Sequence, residues 1–112
     1  MDTKLKYCEI IKQVLQSHAK YRSDLPDAYK SQILFDDAQG QYLVLDIGWD
    51  GDTYLHNTPI HLSLIDSKIW VQYDDTEDGI VTDLVNAGVA KSDIVLGFRH
   101  PKVRQYTGFA VA

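Results

Sequence analysis

Lys68-Ile69-Trp70-Val71-Gln72-Tyr73-Asp74-Asp75-Thr76-Glu77 is the stretch on which the reading of this chain turns. Ile69, Val71 and Tyr73 alternate with Trp70 and Gln72, the period of a strand that buries one face and leaves the other partly wet. Polar and acidic residues follow at once, and then Ile80, Val81, Leu84 and Val85 fall at helical spacing. Strand therefore gives way to helix between Asp74 and Glu77. Carboxylates there satisfy free backbone N–H groups at a helix start and suit its dipole. The helix is expected from about Thr76 to Asn86, with Gly88 as a left-handed C-terminal cap.

Working upstream, Asp66-Ser67 makes a tight turn into this strand. Residues 60–65 alternate Ile60, Leu62 and Leu64 against His61 and Ser63. Thr58-Pro59 marks a bulge or an edge, because proline cannot donate to a ladder; residues 53–57 continue the strand before it. Asp50-Gly51-Asp52 is a turn. Residues 41–49 place Leu43, Leu45, Ile47 and Trp49 on one face and Tyr42, Val44, Asp46 and Gly48 on the other. Asp37-Ala38-Gln39-Gly40 joins them to residues 28–36, with Tyr29, Ser31, Ile33 and Phe35 on one side. Four strands in sequence with short turns make an antiparallel meander.

Residues 3–22 form the first helix: Leu5, Cys8, Ile11, Leu15 and His18 recur every three or four residues, widened by Tyr7, Ile10 and Val14. Asp2 or Thr3 caps its start, and Asp24-Leu25-Pro26-Asp27 ends it. Downstream of Gly88, Ile94-Val95-Leu96-Gly97-Phe98 returns to the sheet as a short strand. The tail from Arg99 to Ala112 makes a turn or a single helical turn, packed down by Tyr106 and Phe109. The expected fold is α+β: one two-layer domain over residues 1–112, with helices on one face of a mostly antiparallel sheet.

With 112 residues, 45% hydrophobic and 24% charged, the composition is that of a globular domain. The net charge of −5 is unevenly spread: residues 1–35 sum to +2, 36–93 to −10 and 94–112 to +3. An acidic middle repels a phosphate backbone, so any contact with nucleic acid is expected to be indirect or confined to the basic ends. The single Cys8 excludes an intramolecular disulfide and fits a reducing compartment. No apolar run approaches the ~20 residues that cross a bilayer, and residues 1–4 lead into no signal peptide. A cytoplasmic protein without membrane contact is expected.

Candidate chemistry is sparse. Asp74, Asp75, Glu77 and Asp78 could hold a hard cation, but a capped, solvated turn explains them better. Asp66-Ser67-Lys68 has the D-x-K form of some metal-dependent nucleases, with Asp46, Asp50 or Asp52 as an upstream carboxylate; as a hairpin turn it has a simpler account. His18, His56, His61 and His100 show no ligand spacing. Cys8 lies on a helix stripe and reads as a small buried hydrophobe. No nucleophile elbow or phosphate loop is present. No catalytic residue, metal site or cofactor is expected. Arg99, His100, Lys102 and Arg104, flanked by Phe98 and Tyr106, form a basic patch suited to an anionic partner, or to pinning the tail through Arg104 and a carboxylate. Trp49, Trp70 and Tyr73 are aromatics that an uncovered sheet face would offer to a partner or to a second copy.

Several of these residues together resemble the XisI-like family, the fdxN element excision controlling factors of cyanobacteria. They are Lys68, Trp70, Asp75, Thr76 and Glu77, then Gly97 and Phe98, then Pro101, Arg104, Thr107 and Phe109-Ala110. Tyr42-Leu43-Val44-Leu45, Gly48-Trp49 and the leading helix with Tyr7 match as well. The family often has glycine where Asp75 stands and proline where Ala90 stands, and a helical turn after Val89 is less assured without that proline. The resemblance implies a non-enzymatic accessory role in excision of a DNA element, beside a site-specific recombinase and a XisH-like protein. It also admits a partner that restrains or completes an endonuclease-like XisH protein. Its motif residues carry no known catalytic role. The rival readings are direct DNA binding through Arg99, Lys102, Arg104 and the basic first helix, and a nuclease built on Asp66 and Lys68. A homodimer is compatible with the first reading.

Overall fold

The computed structural model describes residues 3–23, 29–75 and 79–112. The expected caps at Asp2 and the Thr3 side chain, the stop at Asp24–Asp27, and Thr76, Glu77 and Asp78 lie outside the described residues. In chain order the elements are α1 (Thr3–Ser23), β1 (Tyr29–Asp36), β2 (Gln41–Asp50), β3 (Thr53–Ile65) and β4 (Lys68–Asp74). Then come α2 (Ile80–Asn86), a 3-10 turn (Lys91–Asp93), β5 (Ile94–Leu96) and α3 (Pro101–Arg104). The strands lie side by side in sequence order. β1 to β4 are antiparallel, and β5 pairs parallel to β4. This is the α+β meander expected from the sequence, with a parallel fifth strand.

Turn chemistry fixes the register. Asp66 and Ser67 both have positive φ, 50° and 63°, as a two-residue hairpin that follows the strand twist requires. Thr58-Pro59 is indeed a bulge: Val44 faces Ile60 while Asp46 faces Asn57, so β3 carries one extra residue. A second bulge was not visible in the alternation. His61 faces Tyr73 but Leu62 faces Val71, which leaves Gln72 as the extra residue of β4. The phase of the strand flips there. Ile69 and Val71 are fully buried, whereas Tyr73, expected on the same face, is turned to the other and is 51% exposed.

One face of the sheet holds the core. Tyr7, Ile10, Ile11 and Leu15 of α1 and Ile80 and Leu84 of α2 pack on Tyr42, Val44, Ile60, Leu62, Ile69, Val71 and Ile94. Leu5 does not join them and is 62% exposed. At 100° per residue it stands about 120° round the helix from Ile11, off the buried stripe. Cys8 is only half-buried: its thiol donates to Asp37 Oδ1 at 3.3 Å and lies 3.4 Å from the Tyr42 hydroxyl. Lys12 Nζ meets Asp37 Oδ2 at 2.9 Å, so the β1–β2 turn is tied to α1.

α2 starts at Ile80, later than the expected Thr76. Asp74 still serves the helix start, because Ile80 N–H donates to its Oδ2 at 2.8 Å. The far end closes as expected around Gly88, φ 111°. Gly88 N–H reaches Val85 O and Val89 N–H reaches Leu84 O, each at 3.0 Å, the paired bonds of a Schellman cap. The helical turn after Val89 forms without a proline, as the 3-10 turn closed by Asp93 N–H on Ala90 O.

Candidate partner-binding surface

The helices cover one side of the sheet, and the other side of β1 to β3 has no described element on it. Its rows are Leu34 from β1, then Leu43, Leu45, Ile47 and Trp49 from β2, and Tyr54 from β3. Trp49 is 56% and Tyr54 53% exposed. Their rings meet edge-on with centroids 5.1 Å apart, across the Asp50–Asp52 turn that brings them face to face. Further along, His61 Nε2–H and Ser63 Oγ–H both donate to Gln41 Oε1 at 2.7 Å, and Gln72 Nε2 reaches Ser63 Oγ at 3.4 Å. Desolvation pushes His61 below its usual imidazole range, so this polar strip is uncharged near neutral pH. Beside it an open depression of about 440 Å³ is lined by Leu43, Asn57, Pro59, His61, Tyr73 and Asp75 among others.

At the β4–β5 end the same side of the sheet is covered by the tail. Pro101 opens α3, and His100 caps it through Nδ1, which accepts Lys102 N–H at 3.1 Å. The Arg104 guanidinium lies 5.1 Å over the Trp70 ring and donates to Arg99 O at 3.1 Å and Gly97 O at 3.4 Å. Arg104 therefore pins the tail as anticipated, but through an aromatic face and two carbonyls and, among the described residues, with no carboxylate. Thr107 Oγ1 donates to Arg104 O and accepts Phe109 N–H. Ala110 N–H donates to Ile94 O at 2.8 Å. Phe109 packs on the core, whereas Tyr106, expected to do so, is 79% exposed.

Gly97 is the pivot of this closure. A Cβ there would stand 3.2 Å from Val71 O, 3.2 Å from the Trp70 ring and 2.7 Å from Gln72 Oε1. The chain approaches too closely for any side chain. Lys68 Nζ donates to Ala112 O. Thus Lys68, Trp70 and Gly97 join the tail to the sheet, while Pro101 and Thr107 shape the tail itself. Phe98 and Arg99 remain outside as an exposed stacked pair, 5.2 Å from guanidinium to ring centroid, beside exposed His100 and Lys102.

The D-x-K residues do not assemble. Asp66 occupies the turn at one end of β3, and Asp50 and Asp52 flank the turn at the other, roughly 40 Å away along a strand of this length. Asp46 is buried on the helix face, accepting from Ser31 Oγ. Among the described residues no three His, Cys, Asp or Glu converge as metal ligands. Asp75 is exposed past the end of β4. Among the described residues no helix is long and apolar enough to cross a membrane. Sequence reasoning singled out Trp49, Trp70 and Tyr73 as interface aromatics. The structure leaves Trp49 and Tyr73 open and puts Trp70 beneath Arg104. It missed Tyr54 and Leu34, for which the signal was their place opposite Trp49 and Leu43 in the hairpins.

The family model described as XisI protein matches residues 1–111. Two solved structures resemble the chain along its whole length. The fdxN element excision controlling factor XisI from Anabaena variabilis ATCC 29413 is 33% identical with a TM-score of 0.85, covering 99% of this chain and 100% of that one. A XisI-like protein from the same organism is 34% identical with a TM-score of 0.89, covering 97% and 99%. No curated protein matches the chain.

Proposed function

The chain belongs to the XisI family, and from that premise we propose that it is a non-enzymatic accessory factor controlling site-specific excision of a DNA element. The observation that carries this reading is the end-to-end match to an excision controlling factor, on a chain whose reactive side chains are dispersed. It acts in the cytoplasm through protein partners, a XisH-like protein first and the recombinase with it. The tail supplies the contact: Arg99, His100 and Lys102 stand exposed on α3 and its approach, and suit an acidic patch on the partner. Arg104, Trp70, Lys68, Gly97, Pro101 and Thr107 hold that segment in place, and Phe98 flanks it. Asp75 closes the end of β4, its N–H donating to Pro59 O at 2.8 Å. Direct contact with DNA fits less well, because Arg104 is already committed to Trp70 and two carbonyls.

Co-expression with a XisH-like protein from the same cell should give one co-eluting complex, weakened when Arg99 and Lys102 are both changed to Glu. Two separate peaks at micromolar concentration would sink the reading. A duplex-DNA shift at low salt that disappears with the same double variant would move the function to nucleic acid.

A further inference from the structure

The open sheet face has a charge pattern that identifies its occupant. The chain carries sixteen Asp and Glu against eleven Lys and Arg, so two copies repel unless they meet where the acids are absent. The rows from Leu43 to Trp49 on β2 and from Tyr54 to His56 on β3 contain no outward acid. The nearest carboxylates are marginal: Asp50 and Asp52 stand exposed at the turn beyond Trp49 and Tyr54, Asp36, the last residue of β1, accepts from Gln39 N–H and Gln39 Nε2, and Asp75 lies past the end of β4. A basic partner would choose the acidic turns instead. A face that is largely apolar and bare of acid at its centre, on an acidic chain, fits another face like itself.

We propose that this face joins two copies of the chain as a two-fold, sheet-on-sheet dimer. Its axis crosses β1 and β2 near Gln32 and Leu45, which are partners in the ladder. Rotation about that axis reverses the strands, so the bulky Trp49–Tyr54 end of one copy covers the Leu34–Leu43 end of the other. Three strands about 4.8 Å apart and six residues of rise give a patch of roughly 15 by 20 Å. Over both copies that is roughly 600 Å², below the ~1,200 Å² of stable interfaces, so the dimer is weak and reversible, with a dissociation constant at the upper end of the micromolar range.

Sedimentation equilibrium of the full chain from 1 to about 300 µM tests this. The mass should climb toward the dimer's across the series, and Trp49→Glu should weaken association by at least about tenfold while the far-UV circular dichroism stays unchanged, since Trp49 is already exposed. In a Cys8→Ser background, Gln32→Cys should cross-link to its own equivalent with a short bis-maleimide that spans the ~10 Å between packed sheets, and Trp49→Cys should not. A monomer throughout overturns the proposal, and so does a dimer indifferent to Trp49→Glu. Cross-linking through Trp49→Cys but not Gln32→Cys overturns the reversed arrangement. If Trp49→Glu abolishes co-elution with the XisH-like protein while the unaltered chain is monomeric, the face belongs to that partner. Loss of the XisH-like complex alone, with the homodimer kept, counts against the proposed function and leaves this dimer standing.

Discussion

On β2, Tyr42, Val44 and Asp46 turn to the helices, while Leu43, Leu45, Ile47 and Trp49 turn away from them. The second row is the more apolar of the two, yet it is the one left partly open. Side-chain hydropathy therefore did not choose the covered face. What chose it is the hand of the whole unit: α1 and α2 bring Ile11, Leu15, Ile80 and Leu84 down on the Tyr42 side, where β4 and β5 add Ile69, Val71 and Ile94. The covered face earns stability through packing, and the open face keeps apolar surface available for association.

The largest effect that can break this contrast is a matched pair of truncations. Leu62→Ala, at a fully buried position, should cost about 2–5 kcal/mol in urea unfolding, and Leu34→Ala on the open face less than about 1 kcal/mol. Equal costs would mean that the open face is packed in solution even in the monomer. Next comes Gly97→Ala. The new Cβ meets the Trp70 ring and Val71 O, and an expected loss of about 1–3 kcal/mol should come with altered tryptophan fluorescence. Arg104→Ala follows at about 1 kcal/mol. Its clearer readout is faster hydrogen exchange at Ala110 N–H, and Arg104→Lys should restore little of it, because an ammonium cannot stack flat on Trp70.

The smallest effect belongs to the covered face's margin. Lys12 chiefly, then Tyr42 and Cys8, hold the Asp37 carboxyl at about 2, below its ordinary 3.8. A depressed carboxyl stabilises the fold above the unfolded-state value, and that contribution fades as pH falls from 3.8 toward 2. Asp37→Asn should flatten the acid limb of the stability curve across that window and leave the neutral region with a constant offset. An unchanged acid limb would show that the Lys12 contact is lost in solution.

The sequence announced its strands through local signals. Asp37–Gly40, Asp50–Asp52 and Asp66–Ser67 are turn chemistry at the right intervals, Pro59 forecast a bulge, and Gly88 a helix end. Each depends on residues within a few positions. What stayed hidden depends on distant ones. Tyr73 was assigned to the buried face because its own strand alternates faultlessly, and only pairing with β3 reveals the extra residue at Gln72. Arg104 was expected on a carboxylate because acids are abundant, and only the crossing of β5 beside β4 brings Trp70 beneath it. Trp49 stood out by composition, whereas Tyr54 gained meaning from the hairpin that sets it opposite.

The irregularity at Gln72 has one more effect. Like a half-tooth in a gear, a single inserted residue turns everything after it over. Tyr73 goes outward, and Asp74 comes round to the helix layer, where its carboxylate receives Ile80 N–H. Were Gln72 paired regularly opposite His61, with no extra residue, Tyr73 would fall opposite Ile60 on the buried face, Asp74 would stand outside and α2 would lose its starting contact.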